Sequence, residues 1–203
     1  DVLDDDGAGT DDLVIRATVT LAEGRLHADF RGTTTQVAGG MNAPLAVTLS
    51  AARYVAACLA GDVPLNDGAF ANVSVAAPSG CLVNPERPAA VAAGNVETSQ
   101  RIVDVLYGAL AQGIPNEVPA ASQGTMNNLL VGGWDPRRGA PFAYYETMGG
   151  GGGGAADGPG ASGLQTHMTN TRNTPIEAFE LAYPLRVERY GLRTGSGGAG
   201  SHP

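Results

Sequence analysis

Six consecutive glycines, Gly149 to Gly154, limit the fold of this 203-residue sequence more than any other feature. Each glycine loses a large backbone entropy on ordering and offers no side chain to pack, so the run excludes a helix or an interior strand. Two interpretations remain open. The glycines either wall a binding site, where backbone amides approach a ligand closely, or form a flexible surface loop.

Polar and ionisable side chains flank this glycine run. Tyr144, Tyr145 and Glu146 precede it, and a polar cluster that contains His167 follows it. In the first interpretation the cluster supplies the chemistry of the site. In the second, its Asn and Thr side chains only satisfy the loop backbone.

Composition excludes several classes of function. The sequence has no lysine, and a Walker-type phosphate loop needs one to reach the β- and γ-phosphates. A formal net charge of -8 and a pI near 4.7 argue against nucleic-acid and anionic-membrane partners. His27, His167 and His202 lack zinc-like spacing, so no metal site is predicted in this segment. No apolar run approaches roughly 18 residues and no signal peptide is visible, so we expect a cytoplasmic protein.

The order of hydrophobic patterns predicts an α+β fold, with mixed strands and hairpins around two largely buried helices and long glycine-rich loops at one edge. Residues 1–12 contain six aspartates and no basic side chain, and we expect this acidic segment to stay solvated. Alternation that starts at Leu13 and continues past a turn at residues 22–24 predicts a β-hairpin.

Two segments have helical periodicity. The first is expected to begin at an Asn42 cap, with Pro44 in its first turn, and to end at Gly61. Asn95 or Thr98 is expected to cap the second. The apolar residues of this second helix share one face: Ile102, Val103, Leu106 and Leu110.

Several polar residues lie at the amino end of the second helix, including Asn95, Glu97 and Gln100. The amide-rich, partly positive terminus of a helix can bind an anion or a carbonyl oxygen. Simple capping of the helix is the alternative, and the sequence does not decide between them.

Residues 123–134 and 141–147 are predicted to pair as two strands, the second leading directly into the glycine run. This pairing would bring residues 124–128 (GTMNN), the GTMNN corner, close to the glycines. Alternation in the second half of residues 178–193 predicts a strand there, and residues 194–203 are expected to form a flexible tail.

Seven motifs, in this order and over nearly the whole chain, resemble the hydantoinase B and oxoprolinase family, in its B-type subunit or half. The motifs read DVLDDDG, ADFRGTTTQVAGGMNAP, NPERPAAVAAGNVETSQRIVDVLYGALAQ, PAASQGTMNNL, YYETMGGGGGG, MTNTRNTPIEAFE and YPLRVERYGLRTGSGGAG. Seven linked motifs are far more specific than a glycine run alone.

The resemblance implies a division of labour. The family includes ATP-dependent hydrolases of cyclic amides, such as N-methylhydantoin and 5-oxoproline, and the related acetone and acetophenone carboxylases. An A-type partner, as a subunit or fused half, is implied to bind ATP and Mg and to phosphorylate an oxygen of the substrate. The B-type part then acts on the activated cyclic amide or ketone, which implies a hetero-oligomer.

One departure from the family pattern affects what this chain can do. In B-type proteins, the His and Asp residues associated with metal binding lie upstream of the part that resembles DVLDDDG. A divalent metal is therefore expected in such an upstream half. Residues 1–203 are expected to be a single partial domain, from the middle and later part of a B-type protein. Three interpretations follow: a cyclic-amide hydrolase subunit, a carboxylase subunit of the acetone-carboxylase kind, and a non-catalytic assembly piece.

Given the resemblance, the glycine run and the GTMNN corner are predicted to form the backbone walls of a substrate site. Glu146 or His167 is predicted to transfer a proton as the catalytic group. Each of these side chains can equally be structural. The predicted substrate-binding residues are Asn95, Glu97, Thr125, Asn127, Gly149, Gly150, Gly151, Asn170 and Asn173.

Overall fold

The structure, a computed structural model, describes residues 1–196, and in that range it contains three small β-sheets and four α-helices. The strands are β1 (Val2–Asp5), β2 (Asp11–Val14), β3 (Thr18–Ala22), β4 (Arg25–Asp29), β5 (Val73–Ala76), β6 (Asn128–Asp135) and β7 (Ala140–Thr147). The helices are α1 (Leu45–Ala60), α2 (Asp67–Phe70), α3 (Ser99–Leu110) and α4 (Ile176–Ala182). This mixture confirms the predicted α+β class.

The predicted hairpin is formed by β3 and β4, which pair in antiparallel fashion. Its turn residues, Glu23 and Gly24, have positive φ angles of 51° and 70°, as a two-residue hairpin turn requires. Along β4, Leu26 and Ala28 point into the core while their neighbours face outward. After α1, strand β5 joins β4 in parallel and completes a three-stranded sheet.

The acidic amino-terminal segment is mostly solvated as expected, with ten of residues 1–12 exposed, but it is not a free tail. β1 and β2 form their own antiparallel pair, in which Leu3 lies opposite Leu13 and both are buried. The Asp6 side chain is also buried, and it accepts three backbone hydrogen bonds at 2.8, 2.9 and 3.0 Å, from the N–H groups of Ala8, Thr10 and Gly39 respectively. Strand pairing and these bonds outweigh the charge repulsion that the sequence suggested.

Helix α1 ends at Gly61 as predicted, because Gly61 adopts a φ of 71°. Asn42 does not cap it, which corrects the predicted start. Pro44 occupies the cap position without a side-chain hydrogen bond. The Asn42 side chain is instead fully buried and bonds to the backbone of Val37, Gly39 and Ala90.

Helix α3 is preceded by a π-helical turn over Gly94–Thr98. Neither predicted cap functions as one: Thr98 has helical dihedral angles, and its hydroxyl donates to the Met41 carbonyl at 2.5 Å. The π-turn occupies the residues where the helix was expected to begin, so the regular α-helix starts only at Ser99. The predicted apolar face is confirmed, since Ile102, Val103, Leu106 and Leu110 are all buried.

Strands β6 and β7 pair as predicted, with Asn128 opposite Thr147. The Tyr144 ring of β7 packs edge-on against Phe179 of α4, with 4.7 Å between ring centroids. Helix α4 occupies the first half of residues 178–193, and the second half contains no strand, so that strand prediction was wrong. The Val187 amide donates to the Glu180 carboxylate at 2.8 Å instead of to a neighbouring strand. Most of the predicted tail, residues 197–203, lies outside the described range.

Candidate functional site

The π-turn before α3 brings the first candidate side chains against the GTMNN corner. Gly94 allows the π-turn to pack closely against the backbone just before α1. A Cβ at Gly94 would lie only 2.9 Å from the Ala43 Cα. The Met126 amide donates to the Val96 carbonyl at 3.2 Å, which ties the corner to the turn. Glu97 and Thr125 are thereby placed side by side.

Glu97 collects two hydrogen bonds on one carboxylate oxygen. Its Oε1 accepts from Thr125 Oγ1 at 2.8 Å and from Asn128 Nδ2 at 2.6 Å. Tyr145 donates its hydroxyl to Asn128 Oδ1 at 2.6 Å and so orients that amide. Within residues 1–196, Glu97 Oε2 has no hydrogen-bond partner, and the half-buried carboxylate can accept a hydrogen from a ligand. These four residues are called the Glu97 cluster below.

The GTMNN corner also lies beside the glycine run, as predicted. Gln123, just before the corner, accepts a hydrogen bond from the Gly151 amide at 2.5 Å. The Asn127 side chain donates to the Met148 carbonyl at 3.0 Å. At Gly150, a Cβ would come within 2.7 Å of Asn127 Nδ2, so the Asn127 side chain packs directly against the glycine run.

A second stretch of backbone encloses the glycine run on its other side. The Gly152 amide donates to Ala161 at 2.9 Å, and the Gly163 amide donates to Gly150 at 3.1 Å. A Cβ at Gly149 would lie 2.6 Å from the Gly163 carbonyl oxygen. The glycines are therefore packed between two backbone segments, which the flexible-loop interpretation does not account for.

His167 lies in a separate, buried network. Its Nε2 is 3.1 Å from Asp104 Oδ1, its Nδ1 is 3.3 Å from the Tyr54 hydroxyl, and its side chain is 7% exposed. Burial raises the pKa of the Asp104 carboxyl, but hydrogen bonds from His167 and Ser122 outweigh burial and hold that pKa below its ordinary value. Burial also raises the pKa of Tyr54 to about 12. Both imidazole nitrogens thus have partners inside the protein.

Glu146 lies on the face of β7 opposite to Tyr145, because successive strand side chains alternate. One carboxylate oxygen accepts the Tyr144 hydroxyl at 2.5 Å, and the other accepts the Thr174 amide. The pKa of Tyr144 is raised, mainly by burial and secondly by its hydrogen bond to the Glu146 carboxylate. Glu146 therefore anchors the segment that follows the glycine run.

Three predicted residues, Asn95, Asn170 and Asn173, lie outside the clusters around Glu97, His167 and Glu146. Asn95 and Asn170 are exposed, and no hydrogen bond of either side chain is present within residues 1–196. Asn173 donates its side-chain amide to the Tyr190 hydroxyl. The structure thus brings Glu97 and Thr125 into one cluster and places Asn127 against the glycine run, while Glu146 and His167 belong to neighbouring clusters.

Sequence reasoning missed the polar partners of these residues. Glu97, Gln100 and Asp104 recur at spacings of three, four and seven, which places them on one face of the π-turn and α3. That polar stripe was a usable signal, because it lies opposite the predicted apolar face. Asn128 and Tyr145 could have been found from strand alternation once the β6–β7 register was known.

Two further findings concern the described residues as a whole. Within residues 1–196, no group of three or more His, Cys, Asp or Glu side chains is arranged to hold a metal ion. None of the helices in that range is both long and apolar enough to cross a membrane.

Comparison with known proteins gives consistent matches. The sequence pattern of the Hydantoinase B/oxoprolinase family matches residues 1–203. The protein 5-oxoprolinase 1 from Arabidopsis thaliana is 43% identical over 189 residues, which cover 93% of this chain and 14% of that protein. The 5-oxoprolinase from Saccharomyces cerevisiae is 40% identical over 187 residues, which cover 86% of this chain and 14% of that protein.

Solved structures match at the level of the fold. The ATP-dependent caprolactamase from Pseudomonas jessenii aligns with a TM-score of 0.82 and 27% identity, over 98% of this chain and 35% of that one. Acetone carboxylase in a nucleotide-free state aligns with a TM-score of 0.71 over 84% of this chain and 24% of that one, and at 23% identity it shares the fold alone.

The chain spans only about a seventh of the length of the two sequence relatives described here. Its match to the family pattern nevertheless extends over every residue, and the relatives align along most of it. The chain belongs to the hydantoinase B/oxoprolinase family.

Proposed function

We propose that this chain is the B-type part of an ATP-dependent enzyme that hydrolyses a cyclic amide. The observation that carries the proposal is the 43% identity to a protein named 5-oxoprolinase, since 5-oxoproline is a cyclic amide. The TM-score of 0.82 with a caprolactamase supports the same substrate class, because caprolactam is also a cyclic amide.

The reaction needs an activated substrate, because an amide carbonyl is a weak electrophile. In the proposal, an A-type partner binds ATP and Mg and transfers a phosphoryl group to the amide oxygen. Water then adds to the activated carbon, both of its protons pass to the ring nitrogen as the ring C–N bond breaks, and an acyl phosphate and a free amine remain. A second water releases the phosphate and completes the carboxylate. The lack of lysine in this chain fits a partner that handles ATP.

Glu97 is the side chain best suited to contact the substrate. Two donors hold its Oε1, so the carboxylate is oriented while Oε2 stays open. In the proposal, Oε2 accepts a proton from the attacking water or a hydrogen bond from the ring N–H. The adjacent glycine run and GTMNN corner supply backbone walls that exclude water and position the ring.

The other predicted residues take supporting parts in this proposal. Asn95, Asn127 and Asn170 offer amides at the rim that orient polar groups of the substrate. Glu146 and His167 hold the surrounding segments, because their polar atoms are already engaged within the protein. A divalent metal, where the enzyme uses one, is proposed to lie in an upstream half.

The test is an assay of the complete gene product together with its copurifying partner. With ATP present, 5-oxoproline, caprolactam and hydantoin are supplied, and ring opening and phosphate release are measured. We expect Glu97→Gln to lower kcat about 100-fold, in the range that general acid–base groups contribute. Glu117→Gln, which removes an exposed carboxylate in the turn after α3, should leave kcat unchanged.

Three outcomes decide between the interpretations. Cyclic-amide opening that depends on both ATP and Glu97 supports the proposal. Turnover of a ketone that requires bicarbonate would replace it with a carboxylase of the kind that shares this fold. A stable complex with a partner but no turnover of any of these compounds would favour a non-catalytic assembly role.

A further inference from the structure

Helix α3 holds the segment around His167 with two buried polar side chains. Gln100 is fully buried, donates to the Thr166 carbonyl at 3.1 Å and accepts from the Met168 amide at 3.3 Å. These bonds fix the backbone on both sides of His167. His167 has a φ of 54°, a conformation that costs free energy in a non-glycine residue and persists only when its surroundings hold it.

Asp104, one turn further along α3, joins this segment to a second one. Its carboxylate accepts His167 Nε2 at 3.1 Å on Oδ1, and it accepts the Ser122 amide and hydroxyl, each at 3.0 Å. Ser122 Oγ in turn accepts the Gly124 amide at 3.0 Å. One buried carboxylate therefore holds two stretches of chain that are far apart in sequence.

The contact with Asp104 fixes a hydrogen on one nitrogen of His167. An ionised carboxylate can only accept hydrogen bonds, so His167 Nε2 must carry a hydrogen. In the neutral ring, Nδ1 is then an acceptor, and the Tyr54 hydroxyl is the donor to it. The side chains of α1 and α3 thus hold one imidazole between them, with its Nε2–H directed at Asp104.

The two stretches that Asp104 joins hold the glycine run from opposite sides. Directly after Ser122 come Gln123, which accepts the Gly151 amide, and Thr125, which donates to Glu97. Near His167 lies Gly163, whose amide donates to Gly150 on the other side of the glycine run. A shift at Asp104 would therefore move the glycine run relative to the Glu97 carboxylate.

We propose that Asp104 is a positioning residue, which through Ser122 and His167 holds the two stretches that set the glycine run beside the Glu97 cluster. It does not contact the substrate. The kinetic part of this inference depends on the proposed function, whereas the structural part does not.

The test compares Asp104→Asn with wild type in the complete gene product with its partner, using hydrogen exchange measured by mass spectrometry. We expect faster exchange in peptides over both 122–128 and 163–168, and unchanged exchange in β3 and β4. Tyr54→Phe is the matched control, because it removes a bond to His167 but none to Ser122. It should speed exchange only at 163–168.

Kinetics separate positioning from a merely structural role. In Asp104→Asn, kcat should fall about 10- to 100-fold, as displacements of about 1 Å cause, with a KM change of less than about twofold. In this variant the Glu97 carboxylate keeps its hydrogen bonds from Thr125 and Asn128, so it should still bind the substrate before the reaction. If Asp104→Asn does not fold, Ser122→Ala replaces it, with loosening expected at 122–128 alone and the same fall in kcat.

The outcomes are separable. Unchanged exchange at 122–128, or unchanged kcat despite loosening of both segments, would overturn the inference. If wild type opens no cyclic amide, the proposed function fails, and the exchange measurement still decides whether Asp104 joins the two segments.

Discussion

Asn42 and Asp6 show how single buried polar residues determine the amino-terminal part of the chain. Asn42 is fully buried, accepts the Val37 amide at 2.9 Å, and donates to three carbonyls. A buried amide without such partners would cost about 1–3 kcal/mol. The position of Asn42 just before a helix suggests a helix cap. Its hydrogen-bond partners are instead Val37 and Gly39 in the preceding loop and Ala90, which is 48 positions away.

Asp6 should make stability depend on pH. Backbone hydrogen bonds, from Thr10 first, lower the pKa of Asp6 from about 3.8 to about 2. A lowered pKa means that the folded state favours the ionised form, so the stabilisation is complete above about pH 4 and is lost as pH falls towards 2. We expect Asp6→Asn to lower Tm by a few degrees at pH 7 and by progressively less below pH 4, as followed by circular dichroism.

Asp4→Asn is the matched control for Asp6→Asn, because it removes the same charge from an exposed position in the neighbouring strand. It should change Tm little at any pH. A Tm difference for Asp6→Asn that stayed constant from pH 7 to pH 2 would show that charge on Asp6 is not what stabilises the loop.

At the scale of elements, the glycine run behaves as a packed part of the fold. Gly153 faces the backbone of residues 120 and 121, and a Cβ there would overlap the Ala120 carbonyl oxygen and lie 2.7 Å from that of Ala121. Backbone atoms cannot move aside as a flexible side chain can. The run is therefore constrained by close approach, and Gly153 does not need a positive φ.

Gly153→Ala should destabilise the chain by about 1–3 kcal/mol or more, the usual cost of overpacking, as measured by urea unfolding. Gly158→Ala, in the same loop, is the control. A Cβ at Gly158 would meet nothing within 4 Å, so its effect should stay within about 0.5 kcal/mol. Equal effects of the two substitutions would indicate that the glycines are not closely packed.

At the scale of the whole molecule, burial is unevenly distributed. The main core gathers buried side chains from β1, β2, β4, α1, α3 and the loops between them, with Phe30, Ile102 and Leu106 fully buried. The β6–β7 hairpin forms a separate two-stranded sheet. On it, Leu130 is 72% exposed and Trp134 is 62% exposed.

Hydrogen exchange of the chain should follow this division. Amides of α3 should exchange at least about tenfold more slowly than amides of β6 and β7, because local opening of a hairpin exposes less apolar surface than opening of the core. Mass spectrometry of peptides from the two regions measures the difference. Comparable exchange rates would mean that hairpin and core open as one cooperative unit.

Much of this architecture could be predicted from local pattern. Period-two alternation predicted the β3–β4 hairpin and the β6–β7 pair, and three- and four-residue spacing predicted the buried face of α3. The same reasoning failed for residues 178–193, because alternation cannot show whether a neighbouring strand edge is available. It also failed for the amino-terminal helix caps, which depend on how the preceding loop packs.

The sequence by itself determined the family, the α+β class and the position of the glycine run, since these depend on motifs and on residues close together in the chain. Only the tertiary structure decided which polar residues meet. Thr125 binds Glu97 across 28 positions, and His167 binds Asp104 across 63. Contacts over such separations are set by how the helix and the loops pack against one another, and no local pattern specifies that packing.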